Sequence, residues 1–151
     1  MISLRRSTTR ITALVALALA MLAPAAHAEI SVEDPWVAEA PPTAMALAGF
    51  MTIENSDDVD RKLVGAEAPG FDRIELHRSV EVDGVHQMKR EDAILVPANG
   101  SATLAPGGYH VMLIGLQEPK RAGDRIPLTL IFDDGEEMTV TVPVRKREFM
   151  Q

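Results

Sequence analysis

Cysteine is absent from all 151 residues. No disulfide can staple the fold, so stability has to come from an apolar core. No thiolate is available either, so a soft metal would have to be held by methionine sulfur. A glycine-rich phosphate loop and a nucleophile elbow are also missing, which leaves catalysis without a recognisable motif. Basic charge is in deficit: 15 Lys and Arg stand against 22 Asp and Glu, a formal net charge of −7. A chain this acidic suits neither nucleic acid nor an anionic membrane, and points instead to a basic partner surface. No segment sustains a helical apolar period, and no internal repeat is present. Past residue 28, no apolar run approaches the ~20 residues that a spanning helix needs.

What is present begins with a leader. Arg5, Arg6 and Arg10 make a positive start, Ile11 to Ala23 is almost continuously apolar, and Ala26-His27-Ala28 is a small-x-small cleavage signal. Residues 1–28 therefore read as a secretory signal peptide, the apolar run being too short for a membrane anchor. Arg5-Arg6 raises the twin-arginine route, but Ser7-Thr8-Thr9 fits that motif poorly and general export is favoured. The expected product is a periplasmic, monomeric chain of one domain, residues 29–151, with no membrane span after cleavage. Loss of the leader removes three arginines and no acids, so 12 basic residues face 22 acidic ones and the net charge becomes −10.

The rest reads as strands punctuated by ten Pro and ten Gly. Ile30 to Glu33 is expected as an edge strand ended by Asp34-Pro35, with Trp36 as a core anchor. Met45 to Glu54 alternates, placing Met45, Leu47, Gly49, Met51 and Ile53 on one buried side. Asn55-Ser56-Asp57-Asp58 is a turn. Arg61 to Ala66, Ile94 to Val96, Ser101 to Leu104 and Tyr109 to Leu116 are further strands. Ile74 to Val80 and Val85 to Met88 flank Asp83-Gly84, a strong hairpin signal. Ile126 to Phe132 and Glu136 to Val142 flank Asp133-Asp134-Gly135. The acidic pairs Asp57-Asp58, Asp133-Asp134 and Glu136-Glu137 read as solvated turn residues. Short strands with turn chemistry between them predict an antiparallel β-sandwich or barrel.

Within these strands lies a spaced set of soft-metal donors. His77 is followed by Met88 after ten residues, His110 after twenty-one more, and Met112 after one. Each alone is unremarkable, since Met often fills cores and a lone His often sits at the surface. Strand geometry gathers them in two pairs. His110 and Met112 stand at i and i+2 on one strand and share a face. A two-residue loop at Asp83-Gly84 pairs Val82 with Val85, Ser79 with Met88, and His77 with Arg90. His77 and Met88 become diagonal neighbours about 7–8 Å apart. His86 shares that face and reads as a surface residue or a reserve ligand. Two thioethers without an anionic ligand suit Cu(I), whereas Zn(II) prefers Cys, His and carboxylate. The set lacks the thiolate of an electron-transfer copper site, so redox cycling is not its obvious job. The motif residues are expected beside hairpin turns, as a shallow surface site at one end of the sandwich.

These four residues, with Asp34-Pro35-Trp36-Val37, Phe50-Met51-Thr52-Ile53, Glu75-Leu76-His77 and Pro106-Gly107-Gly108-Tyr109-His110-Val111-Met112-Leu113, carry a family resemblance over essentially the whole mature chain. The sequence resembles the periplasmic Cu(A)C-type copper chaperones, whose motif is His-x10-Met-x21-His-x-Met. The resemblance implies an all-β, cupredoxin-like antiparallel Greek-key sandwich or barrel. It also implies a non-enzymatic carrier that binds one Cu(I) through His77, Met88, His110 and Met112. The implied partners are copper donor or acceptor proteins, namely the Cu(A) subunit of cytochrome c oxidase and thioredoxin-like copper chaperones. Arg78 and His86 stand where many members have Met. The end, Arg145-Lys146-Arg147-Glu148-Phe149-Met150-Gln151, lacks the His- and Met-rich tail through which some members bind Cu(II). The alternative is a metal-free adhesion or assembly sandwich, for which the fold alone would suffice.

Overall fold

Period-two alternation of apolar residues builds ten strands in the computed structural model, which describes residues 30–147. The signal peptide read over residues 1–28 and the tail from Glu148 lie outside the described residues. The strands are β1 (Ile30–Ala38), β2 (Ala46–Asn55), β3 (Arg61–Glu67), β4 (Arg73–Val82), β5 (Val85–Glu91), β6 (Ile94–Val96), β7 (Gly100–Leu104), β8 (Tyr109–Ile114), β9 (Arg125–Phe132) and β10 (Glu137–Arg145). Hydrogen bonding orders them β5-β4-β8-β7-β2-β1-β10-β9-β3-β6, with β8 also paired to β2. No helix occurs among the described residues.

The fold is all-β and cupredoxin-like, as the sequence leads one to expect. Pairing is antiparallel except at two short parallel contacts, β1 with β10 and β7 with β8. The ordered strands turn back on themselves so that apolar faces meet in one core. Ile126, Leu128, Leu130 and Phe132 of β9 point inward at every second position, against Leu47, Met51 and Ile53 of β2 and Val111 and Leu113 of β8. Alternation of this kind buries one face of each strand and leaves the other to water.

The first strand departs from the sequence reading. It does not end at Asp34-Pro35, and it is not an edge: it lies between β2 and β10. Its register slips by one residue between Glu33 and Trp36, where Asp34 takes φ 42°. This β-bulge accommodates Pro35, which has no N–H to give to a ladder. One extra residue also exchanges the faces of the strand beyond it. Val37 thereby enters the core, and Trp36 comes out on the opposite face, half-buried, with its ring 4.8 Å from that of Phe50. Trp36 is therefore not a core anchor. Met45, also expected inside, is exposed just before β2 begins.

The β4–β5 hairpin is as read. Asp83 (φ 51°) and Gly84 (φ 76°) both take positive φ, as a two-residue type I′ turn requires. Val82 faces Val85, Ser79 faces Met88 and His77 faces Arg90.

The acidic turn residues do more than meet solvent. Arg61 Nη2 reaches Asp57 Oδ2 at 3.2 Å, and its Nη1 contacts Asp134 and Glu136 of the β9–β10 turn. The hydrogen bond from Arg61 holds the Asp57 carboxyl below the usual carboxylate range. Beside it, buried Asn55 donates to the carbonyls of Val59 and Val96 and accepts from the amide of Asp57, tying this turn to β6.

Candidate metal centre

Three adjacent strands, β5, β4 and β8, bring the four motif residues to one face. Opposed residues of an antiparallel pair point the same way. His77 of β4 stands opposite His110 of β8, and Glu75 opposite Met112. Met88 of β5 stands opposite Ser79, one step diagonal from His77. Met112 also faces Ala48 of β2. All four candidates stand on the face of a sheet; His110 lies beside a turn as the sequence suggests, two residues past Gly108, whereas His77, Met88 and Met112 lie further inside their strands. His86 is exposed near the turn, opposite Glu81.

The two imidazoles meet edge to face, with ring centroids 5.7 Å apart. Each has one nitrogen engaged and one without a hydrogen-bond partner. His77 Nε2 lies 2.8 Å from Glu75 Oε2. A carboxylate only accepts, so Nε2 carries the proton and Nδ1 keeps its lone pair. His110 Nδ1 lies 3.2 Å from the Gly108 carbonyl oxygen and must donate for the same reason, leaving the lone pair on Nε2. His77 Nδ1 and His110 Nε2 are buried and unpartnered. Buried polar atoms are seldom left so, and two basic lone pairs in one place meet the requirement of a metal ion.

The two methionines differ in depth. Met88 is 62% exposed, Met112 half-buried, and neither belongs to the apolar core. Among the described residues, no group of three or more His, Cys, Asp or Glu is placed to hold a metal. A site here depends on thioether sulfur, and a set of two neutral imidazoles and two thioethers favours a soft monovalent ion.

Electrostatics around the histidines follows from burial and from Glu75. The hydrogen bond from His77 and then that from Arg73 hold the Glu75 carboxyl below the usual range, with Arg90 adding attraction across the hairpin. Burial holds His110 below its ordinary value of 6.5, and the nearby His77 adds to this while the Gly108 carbonyl opposes it. A lowered folded-state value means that the unfolded chain takes up the proton first. His110 then contributes stability that is whole above 6.5 and is lost as pH falls through the folded value. Apo-protein melting temperatures are expected to drop from about pH 7.5 to about 5, and His110→Phe should flatten that drop. An equally steep drop in the variant would contradict this assignment.

An open groove of about 1140 Å³ covers Met88 and His110. Trp36 and Phe50 line it, and Phe50 stands 6.3 Å from the His110 ring. Arg145, Lys146 and Arg147, where the chain leaves β10, line its basic side. Sequence reasoning placed Trp36 in the core and assigned no part in the site to Glu75, Phe50 or this basic run. Glu75 at two residues before His77 was a usable signal, since i and i+2 share a strand face. The groove residues come from distant strands and carried none.

Comparison with known proteins bears on the family and the fold. A family model described as putative lipoprotein LpqE-like matches residues 30–144. A putative lipoprotein of Leifsonia xyli subsp. xyli (strain CTCB07) is 36% identical over 99 residues, 65% of this chain and 60% of that protein. A protein of Rickettsia prowazekii (strain Madrid E) is 30% identical over 98 residues, 64% of this chain and 54% of that one. The chain thus spans less than two thirds of the length of these curated relatives. Among solved structures, CuI-DR1885 from Deinococcus radiodurans is similar with TM-score 0.66 and 35% identity, over 81% of this chain and 83% of that one. The copper-bound PCuAC domain from PmoF2 is similar with TM-score 0.66 and 27% identity, over 78% of this chain and 93% of that one.

Proposed function

The chain belongs to the LpqE-like family, and on that premise we propose that it is an exported copper chaperone of the PCuAC type that carries one Cu(I) on His77, Met88, His110 and Met112. The observation that carries this reading is the pair of unpartnered buried nitrogens, His77 Nδ1 and His110 Nε2, on the face that also bears the two thioethers. The similar solved domains, described as holding copper, support it. Copper is the cargo here. The ligands are neutral, so Cu(I) is held by soft donation. The protein acts as a carrier, and not as an enzyme. Delivery to the Cu(A) centre of cytochrome c oxidase, with thioredoxin-like copper proteins as companions, is the role that its resemblance to Cu(A)C-type chaperones suggests. The name of the family accords with export. No helix of the described residues is long and apolar enough to cross a membrane.

Titration with Cu(I) under reducing conditions tests the proposal. Trp36, the single tryptophan, lines the groove with Met88 and His110, so its emission should report loading. One copper per chain, undisturbed by Zn(II), is the result expected. No binding would return the metal-free assembly module to first place, and zinc binding as tight as copper would refute the soft-site chemistry.

Glu75 has a part in this function without touching the metal. By accepting the hydrogen bond from His77 Nε2–H, it fixes the tautomer and aims Nδ1 at the cargo. Glu75→Ala should weaken Cu(I) binding by roughly 10–100-fold, as the loss of such outer partners does. Glu75→Gln keeps an acceptor oxygen and should retain most of the affinity. Competition against a chelator of known strength reads both, and equal losses in the two variants would remove the orienting role.

A further inference from the structure

We infer that the groove over Met88 and His110 docks an acidic segment of the protein with which copper is exchanged. The inference rests on the chaperone reading above and adds the chemistry of the partner. At about 1140 Å³ the groove exceeds the ~300–1,000 Å³ of most small-molecule sites and suits a polypeptide segment. Its apolar part is Trp36, Phe50 and Met88, and its charged part is Arg145, Lys146 and Arg147. Among the described residues no acidic one lines it, although the chain has 22 acids against 15 bases. Arg145 is paired to Asp34 at 2.9 Å, while Lys146 and Arg147 are exposed. The composition points to a basic partner, but the groove over two of the four candidate ligands, Met88 and His110, is the reverse of the average.

Charge also gives the exchange a direction. The ligands are neutral, so bound Cu(I) adds one positive charge to a groove that already has three cationic side chains. An acidic partner is attracted most while the copper is here. In the transfer, Cu(I) moves without a change of oxidation state, and each Cu–N or Cu–S bond broken on this chain is replaced by one to the partner. The groove then loses one positive charge and the partner gains one, so attraction weakens on both sides and release follows. The rest of the acidic surface repels the same partner and so orients the encounter.

Two synthetic acceptor peptides test this, with identical Met and His ligands flanked in one by Asp and Glu and in the other by Lys. Stopped-flow transfer from the Cu(I)-loaded chain should be at least about tenfold faster to the acidic peptide at low salt, within the range that steering gives. The gap should close as added salt shortens the screening length. Lys146→Glu with Arg147→Glu should abolish the preference, while Cu(I) affinity by competition stays at the wild-type value. Equal rates, a preference indifferent to salt, or one that survives the double reversal would overturn the proposal. So would capture of the loaded chain by anionic lipid vesicles in preference to the acidic peptide. Anisotropy of the labelled acidic peptide with apo protein reads docking separately from copper. Peptide binding that the double reversal removes supports the groove even if the titration finds no copper, and no peptide binding refutes it.

Discussion

Met88→Ala is expected to weaken Cu(I) binding by at least about 100-fold while the apo protein melts as the wild type does. The two effects separate because Met88 is 62% exposed on β5, a strand at the edge of the sheet, and takes no part in the apolar core. Truncating an exposed side chain usually moves stability by less than ~0.5 kcal/mol, far below the ~2–5 kcal/mol of a buried Met→Ala. Loss of a direct donor should exceed the upper end of what an outer partner contributes, hence the bound of roughly 100-fold, or about 2.7 kcal/mol of binding. Met112→Ala should show the same loss of copper with a stability decrease between these limits, since its side chain is half-buried. Isothermal competition and thermal melts of the apo variants give both quantities. If Met88→Ala unfolds like a core deletion and still binds copper, it is a packing residue.

Leu113→Ala is expected to do the reverse. On β8, His110 and Met112 turn to the groove face, whereas Val111 and Leu113, both fully buried, turn to the core. Leu113 sits opposite Leu47 and Ile74. Its removal should destabilise the fold by ~2–5 kcal/mol through lost burial and the remaining cavity. Copper affinity of the folded protein should stay near the wild-type value, because the donors are on the other side of the strand. Denaturant unfolding and Cu(I) competition on one preparation measure the pair of effects. A large loss of affinity with intact stability would contradict the division of β8 into two faces.

Much of this arrangement was legible from local chemistry. Asp83-Gly84 set the register of β4 against β5 to the residue, because a two-residue turn with two positive φ values permits one pairing. His110 and Met112 shared a face by the period-two alternation of one strand. The bulge at Asp34-Pro35 was not legible: the dipeptide is as good a terminator as a bulge, and only the partner strand decides between them. That single extra residue moved Trp36 from the expected core to the groove. The pairing of β4 with β8, which brings His77 opposite His110, spans more than thirty positions and follows from the packing of the whole sheet. The basic groove was hidden by composition, since an average over 151 residues says nothing about where the few cations gather.

Copper K-edge X-ray absorption of the Cu(I)-loaded chain tests the proposed ligand set most directly. The account predicts a mixed first shell of imidazole nitrogen and thioether sulfur in equal number, and loss of the sulfur shell in Met88→Ala/Met112→Ala. A first shell without sulfur in the wild type, or the same spectrum in the double variant, would contradict it.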